Sequence, residues 1–210
     1  ARARGFRPFR AQHVMLRPAD APPPPIPRVA GARIRPLREG EEPALLAALN
    51  RAWAETWNFR PLAGAALAAD LAGQRAGFLV AEATAGDARI VGTVHARFDP
   101  RERNPGGGPY AWISNLTTDP AWRGRGLGRA LLAAGITYLR GRGAGSVALG
   151  VDGGAAVPVA LYRSAGFETI GMVEIWEAPL ARAPRRTSAA DTVTIAAERS
   201  ATARMGRARG

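Results

Sequence analysis

Apolar residues recur with two periods along the middle of the chain, and the switches between them predict the elements. Arg33-Ile34-Arg35-Pro36-Leu37 alternates and reads as a first strand. Glu39, Glu41 and Glu42 then place negative charge at a helix start, with Pro43 at an early helical position. Leu45, Leu46, Leu49, Trp53 and Trp57 follow at helical spacing, and residues 61–71 make a second, alanine-rich helix. Residues 78–83 and 90–98 read as strands joined by the turn Ala85-Gly86-Asp87, an antiparallel hairpin. Residues 99–109 carry three consecutive glycines and two prolines besides Pro109, which predicts a mobile loop. Residues 111–118 form the next strand. A helix from Leu127 buries a stripe of Leu127, Leu131, Ala134 and Tyr138 and ends at the glycines of 141–145. The strand 146–151, a helix that ends at Gly166 and a strand over 167–179 complete the series. Strand, helix, strand in that order is a parallel crossover unit, so the domain is α/β (α+β).

The ends differ from the middle. Pro22-Pro23-Pro24-Pro25 is an extended, semi-rigid linker. Before it, Gly5-Phe6 and a strand-like segment echo Gly166-Phe167 and the strand after it. The echo predicts that residues 1–30 hold the last strand of an upstream domain of the same fold, with the main domain over 31–180. Residues 181–210 are poor in aromatics and read as a basic, disordered tail, with a short late strand over 192–195 as an option.

Composition narrows the chemistry. With 210 residues and 47% apolar content there is material for one domain with a core. Cysteine is absent, which excludes disulfides, thiolate catalysis and cysteine metal sites from this chain. No apolar run approaches the length of a membrane helix, so no membrane partner is expected. The net charge of +12 suggests a polyanion partner until it is located. Residues 1–28 carry six arginines and one acid, and residues 181–210 seven and two, which leaves the middle near neutrality. The excess lies in the tails, so no specific nucleic-acid module is predicted, and a tail-borne nucleic-acid binder is one alternative reading.

The chemistry concentrates in Thr117-Thr118-Asp119-Pro120-Ala121-Trp122-Arg123-Gly124-Arg125-Gly126-Leu127-Gly128-Arg129. A strand end, a glycine-rich turn and a helix start follow one another. The first N–H groups of a helix have no intrahelical partner and carry the positive end of its dipole, which makes an anion site. Glycines let a phosphate reach the backbone, and arginines pair with its oxygens. A P-loop is excluded, because the chain has no lysine. A dinucleotide fingerprint is excluded too, because Arg129 and Leu131 stand where its third glycine would be.

What fits is Arg-x-x-Gly-x-Gly, as Arg123, Gly126 and Gly128, with a strand directly before it and Tyr162 and Gly166-Phe167 beyond it. These motifs, in this order, resemble the GCN5-related N-acetyltransferase (GNAT) family over about residues 31–180. The resemblance implies a mixed sheet of six to seven strands flanked by about four helices. It implies acetyl-coenzyme A as acyl donor, direct transfer to the primary amine of a small molecule, no metal and a cytoplasmic setting. Cofactor contacts are then expected at Leu116, Thr117, Thr118, Arg123, Gly124, Arg125, Gly126, Leu127, Gly128 and Arg129. Tyr162 matches the family's general acid, and Trp57, Phe59 and Arg60 are expected to face the acceptor. No base is assigned: the central strand has Ser114 and Asn115 where the family often has glutamate, and water relayed from Asp152 or another carboxylate is one route. Gly153-Gly154 stand where the family often has a cofactor-binding asparagine. A proline-linked domain with an aromatic first helix resembles mycothiol synthase-like members, which acetylate a cysteinyl amino-sugar. The alternative is a non-catalytic acyl-CoA-binding half-domain of a tandem protein.

Overall fold

The computed structural model describes residues 6–178, apart from residue 58 and residues 104–106; the expected tail and late strand lie outside them. The described strands are β1 (Arg7–Arg17), β2 (Ala32–Pro36), β3 (Phe78–Ala83), β4 (Ile90–Arg103), β5 (Pro109–Thr118), β6 (Val147–Asp152) and β7 (Glu168–Glu177). The described α-helices are α1 (Glu42–Trp53), α2 (Gly64–Leu71), α3 (Leu127–Gly141) and α4 (Ala156–Ser164). One mixed sheet takes the order β2-β3-β4-β5-β6-β1-β7. Its neighbours are antiparallel except β5 and β6, the two strands joined through α3.

Each face of the sheet carries its own core. On one face Leu127, Leu131, Ile136 and Leu139 of α3 pack with Val94, Ile113, Leu149, Met15 and Phe167. On the other, Leu45, Leu49, Leu67 and Leu71 of α1 and α2 pack on Phe78, Val80 and Ile90. Helices on both faces explain why all six residues of β3 are buried and apolar but for Glu82. The approach of α3 requires two glycines. A Cβ at Gly92 would lie 2.8 Å from Leu131 Cδ1, and one at Gly135 would lie 2.9 Å from Ile113 Cδ1.

Strand β1 is built into this sheet, although it precedes the proline linker. It runs antiparallel between β6 and β7, with Val14 opposite both Gly150 and Gly171. The linker then crosses beside α3 to reach β2 at the far edge. Prolines offer carbonyls but no N–H groups, and two arginines serve those carbonyls. Arg140 of α3 donates to Pro18, Ala19 and Ala21, and buried Arg17 donates to Ala21, Pro22 and Ala165. At the other end of α3, Ile26 to Val29 line a cavity of about 330 Å³ with Ala32, Ile34 and Leu127.

Two expected boundaries move. The second helix begins at Gly64, not at residue 61, because Asn50 bonds both backbone groups of Leu62 (2.7 and 3.2 Å) and holds it out of the helix. Strand β4 continues through the predicted loop to Arg103. There the Asp99 carboxylate accepts from the Arg101 N–H at 2.9 Å and pairs with its guanidinium, at a register irregularity that accommodates Pro100. No described helix is long and apolar enough to cross a membrane.

The edge strand β2 is tied down by charge. Half-buried Arg35 bridges Glu41 at the start of α1 and Glu82 on β3, both at 2.6 Å, while Arg33 reaches Glu82 at 2.7 Å. The Arg35 and Arg33 guanidiniums depress the Glu82 carboxyl to about 2. A carboxylate depressed in the fold stabilises it above the unfolded value, and that stabilisation is lost as pH falls. The expected outcome is a thermal midpoint that drops between about pH 4.5 and 2 in the wild type and drops less in Glu82→Gln. Calorimetry of both proteins across that range checks it; parallel curves would refute the assignment.

Candidate active site

The loop between β5 and α3 is locked from behind and open in front. Asp119, buried, accepts from Ala121 N–H at 3.1 Å and caps the short 3₁₀ turn Pro120–Trp122. Its carboxylate also takes Arg51 of α1 (3.3 Å) and Arg89 of the β3–β4 connection (3.4 Å). Its N–H bonds Val91 O at 2.9 Å. Three elements therefore hold the loop's root. Beyond it Gly124 (φ 75°) and Gly126 (φ 81°) adopt left-handed backbone, which costs other L-residues about 1–2 kcal/mol. A Cβ at either would meet open space, so the turn is bare on its outer side.

Gly126 is the N-cap of α3, and no described side chain bonds the helix's first turn. The first ladder bond at this end is Ala130 N–H to Gly126 O (3.0 Å). The N–H groups of Leu127, Gly128 and Arg129 therefore precede the ladder and suit an anion. Leu127 takes part through its backbone, since its side chain is buried in the core. The arginines divide. Arg123 turns back to Glu55 (2.6 Å) and to the Ala52 carbonyl (3.3 Å), tying the end of α1 to the loop. Arg125 lies 5.0 Å over the Trp122 ring, and Arg129 is exposed.

Beside this terminus the sheet comes apart. The described register of β5 with β6 consists of Trp112–Ala148 and Ile113–Leu149, so residues 114–118 run on without that neighbour. On the β4 side Thr93 faces Thr117 and His95 faces Ser114, which puts one extra residue in β5, a bulge at Asn115–Leu116. Asn115 takes φ 48°, a left-handed value that asparagine tolerates better than most residues. Leu116 packs on the α3-side core, and Thr118 Oγ1 lies 3.6 Å from a Cβ built at Gly128. The expected cofactor segment 116–118 and the anion turn thus adjoin. Gly128 also sits 3.5 Å from Leu161 by the same construction, which brings in α4 and the next residue, Tyr162.

Tyr162 is buried, edge-on to Phe167 with ring centroids 6.0 Å apart. Burial pushes its hydroxyl up to about 12, so it is protonated at neutral pH.

Trp57 projects from the connection after α1 and is 55% exposed, and the other two expected acceptor residues, Phe59 and Arg60, share that connection. Sequence reasoning missed its partners, which come from β1. Phe9 packs 5.1 Å from the Trp57 ring, and the Arg10 guanidinium lies 4.4 Å over it. Arg10 also pairs with Asp152 at the end of β6 (2.8 Å), and the other Asp152 oxygen accepts from Gly154 N–H (2.9 Å). The glycines after β6 have a local reason: a Cβ at Gly153 would lie 2.7 Å from His13 Nε2 on β1. His95 is a core residue, stacked on Phe78 at 4.2 Å, and burial holds it neutral, with its pKa lowered to about 4. Tyr110 and Trp112 stack nearly parallel, centroids 6.1 Å apart and planes at 4°.

A mixed sheet that opens beside an uncapped helix start forms a cleft with a candidate anion site at its mouth. Residues 42–167 match the sequence profile of the Acetyltransferase (GNAT) family, and the chain belongs to that family. Among curated proteins it is similar to the mycothiol acetyltransferases of Salinispora arenicola (37% identity, 78% of this chain, 53% of the relative) and Thermobispora bispora (35%, 79% and 57%). The chain spans about half the length of these relatives. Among solved structures it resembles a GCN5-related N-acetyltransferase from Sphaerobacter thermophilus, with TM-score 0.68 and 27% identity over 83% of this chain and 53% of that one. The fold expected from the motifs is the fold observed.

Gly126→Glu sets a carboxylate in the anion site and forces a left-handed glutamate. The expected outcome is acetyl-coenzyme A affinity reduced at least about 100-fold, from lost charge-assisted bonds plus repulsion. Isothermal titration checks it, with circular dichroism as the folding control; unchanged affinity would refute the site.

Proposed function

We propose that the chain transfers an acetyl group from acetyl-coenzyme A to the primary amine of a small molecule, with both substrates bound together. The observation that carries this is the junction of the open α3 terminus with the end of β5 that runs on past its β6 partner. The pyrophosphate would dock on the N–H groups around Gly126–Arg129, and the pantetheine arm would enter the opening between β5 and β6. Backbone groups of Leu116–Thr118 would receive the arm and the thioester oxygen, as an oxyanion hole does. Holding both reactants in one cleft is then the main source of rate.

In the transfer, the amine nitrogen attacks the thioester carbon, the C–N bond forms and the C–S bond breaks. The nitrogen gives up one proton and the departing sulfur gains one, so the exchange balances without a permanent base. Tyr162 is the family-matched donor to the sulfur. With its hydroxyl near 12 against roughly 8.5 for a thiol, full transfer from Tyr162 is uphill by about 5 kcal/mol. It therefore serves as a hydrogen-bond donor or momentary relay, refilled from the amine side. Tyr162→Phe should leave acetyl-coenzyme A affinity intact and lower kcat about 100-fold, the low end of general-acid effects. Stopped-flow thiol release checks this, and equal turnover would remove the role.

For the acceptor we favour the cysteinyl amino-sugar amine implied by the likeness to mycothiol acetyltransferases. Trp57, Phe9 and Arg10 would wall its site, with Trp112 and Tyr110 supplying aromatic surface. Trp57→Ala is expected to raise the acceptor KM about tenfold, the loss of one aromatic contact, with acetyl-coenzyme A binding unchanged. Steady-state kinetics in both substrates checks it; an unchanged acceptor KM would place the acceptor elsewhere. The alternative of a non-catalytic half-domain draws on the Ser114 and Asn115 that stand where the family often has glutamate. It predicts saturable acetyl-coenzyme A binding with no thiol release for any amine tested. The upstream domain remains a proposal, supported by relatives of which the match covers only about half.

A further inference from the structure

The bulge in β5 needs something to hold it, and the residue that does so lies on the neighbouring strand. Thr93 of β4 is fully buried. Its hydroxyl donates to the carbonyl of Asn115, the left-handed residue of the bulge, at 2.7 Å. Its oxygen is also 2.7 Å from Thr117 Oγ1. A hydroxyl has one proton. With that proton on the Asn115 carbonyl, the Thr117 hydroxyl must be the donor in the second bond. The chain Thr117→Thr93→Asn115 thus has one direction and spans the bulge from both sides. A bulge interrupts the ladder and leaves a backbone group unpaired. Here the unpaired group is answered by a side chain.

We propose that Thr93 is a positioning residue for acyl transfer, which locks Asn115 in its left-handed conformation so that Leu116–Thr118 present their backbone to the thioester. This rests on the function proposed above. Nothing in the Thr93 side chain reaches the cleft, so it acts through β5. The geometry is local to one strand pair, whereas the anion turn is fixed separately by Asp119 and its two arginines. Loss of Thr93 should therefore affect the acyl end of the cofactor and spare the nucleotide end. Valine is nearly the same shape as threonine but lacks the hydroxyl. It would strand the Asn115 carbonyl and the Thr117 hydroxyl in a buried place, which costs of the order of a tenfold change per group.

The experiment compares wild type, Thr93→Val and Thr93→Ser by isothermal titration with acetyl-coenzyme A and with its nucleotide half, phosphoadenosine diphosphate. Turnover is measured alongside by thiol release. Amide hydrogen exchange of Asn115 and Leu116 is followed in the unliganded proteins. Thr93→Val is expected to bind the nucleotide half as wild type does, to lose about tenfold in acetyl-coenzyme A affinity or kcat, and to exchange faster at the bulge. Thr93→Ser, which keeps the hydroxyl, should restore all three to within about threefold. Equal acetyl-coenzyme A binding and turnover in wild type and Thr93→Val would overturn the inference while leaving the acetyltransferase reading standing. Equal loss of both ligands would also overturn it, because Thr93 would then support the whole fold and not the acyl end. A wild-type protein that binds neither ligand would refute the proposed function itself.

Discussion

The meeting of β5 with β6 along two register pairs is the constraint on which the other features depend. Parallel strands need a crossover, and α3 is that crossover, so its N-terminus must sit at the end of β5. β5 bulges at Asn115 before it reaches the crossover, and its last residues have no partner in the described register with β6. The backbone they expose is polar and sits between two well-packed halves. Leaving such groups unpaired away from water costs about 1–3 kcal/mol each. A fold that tolerates them gives up stability that a ligand can recover by pairing them. On the function proposed above, the opening would bind the donor for the same reason that it is a weak seam. The anion turn adds charge selectivity at its mouth.

Arginine carries every cationic task in this lysine-free chain, and the tasks differ more than the composition suggests. Arg35 and Arg33 neutralise Glu82 inside the sheet. Arg17 and Arg140 serve carbonyls of a linker that has few N–H groups of its own. Arg51 and Arg89 converge on Asp119. Arg123 belongs with these, since its guanidinium joins the loop to Glu55. That leaves Arg125, over the Trp122 ring, and Arg129 as the exposed guanidinium side chains at the anion turn. A planar five-donor fork can satisfy several carbonyls or a bidentate carboxylate, which is why one residue type fills roles that look interchangeable in sequence and are not.

Most of the architecture was legible because its causes are local. Helical spacing from Leu127, glycines at 124 and 126 and the alternation of the hairpin strands each act within a few residues. Helix ends shifted where a distant side chain intervened, as Asn50 does at Leu62. The glycine turn and the helix start of the candidate site were legible for the same reason: they are contiguous in sequence. Asp119 followed by Pro120 is also a readable cap signal. The bulge was not legible, because it depends on a hydroxyl 22 residues upstream of Asn115. Nor were the partners of Trp57 or the reason for Gly153, because both lie on β1, separated from Trp57 by the proline linker, β2 and α1, and from Gly153 by most of the domain.

That strand bears on how specificity can be distributed. The family profile covers residues 42–167, which contains the loop, the bulge, Trp57, Asp152 and Tyr162. It excludes β1, β2 and β7. Yet β1 pairs along β6 from Gln12 to Arg17, excludes any larger side chain at 153 through His13, and contributes Phe9 and Arg10 to the Trp57 cluster. The shared machinery of the family therefore lies inside the matched region, and part of the proposed acceptor wall lies outside it. A change of Arg10 would alter the charge presented beside Trp57 and Asp152 without touching the loop proposed to hold the donor. On the proposed function, two substrates that meet in one cleft would in this way be bound by segments that can vary separately, which would let the acceptor site change while the chemistry beside it is kept.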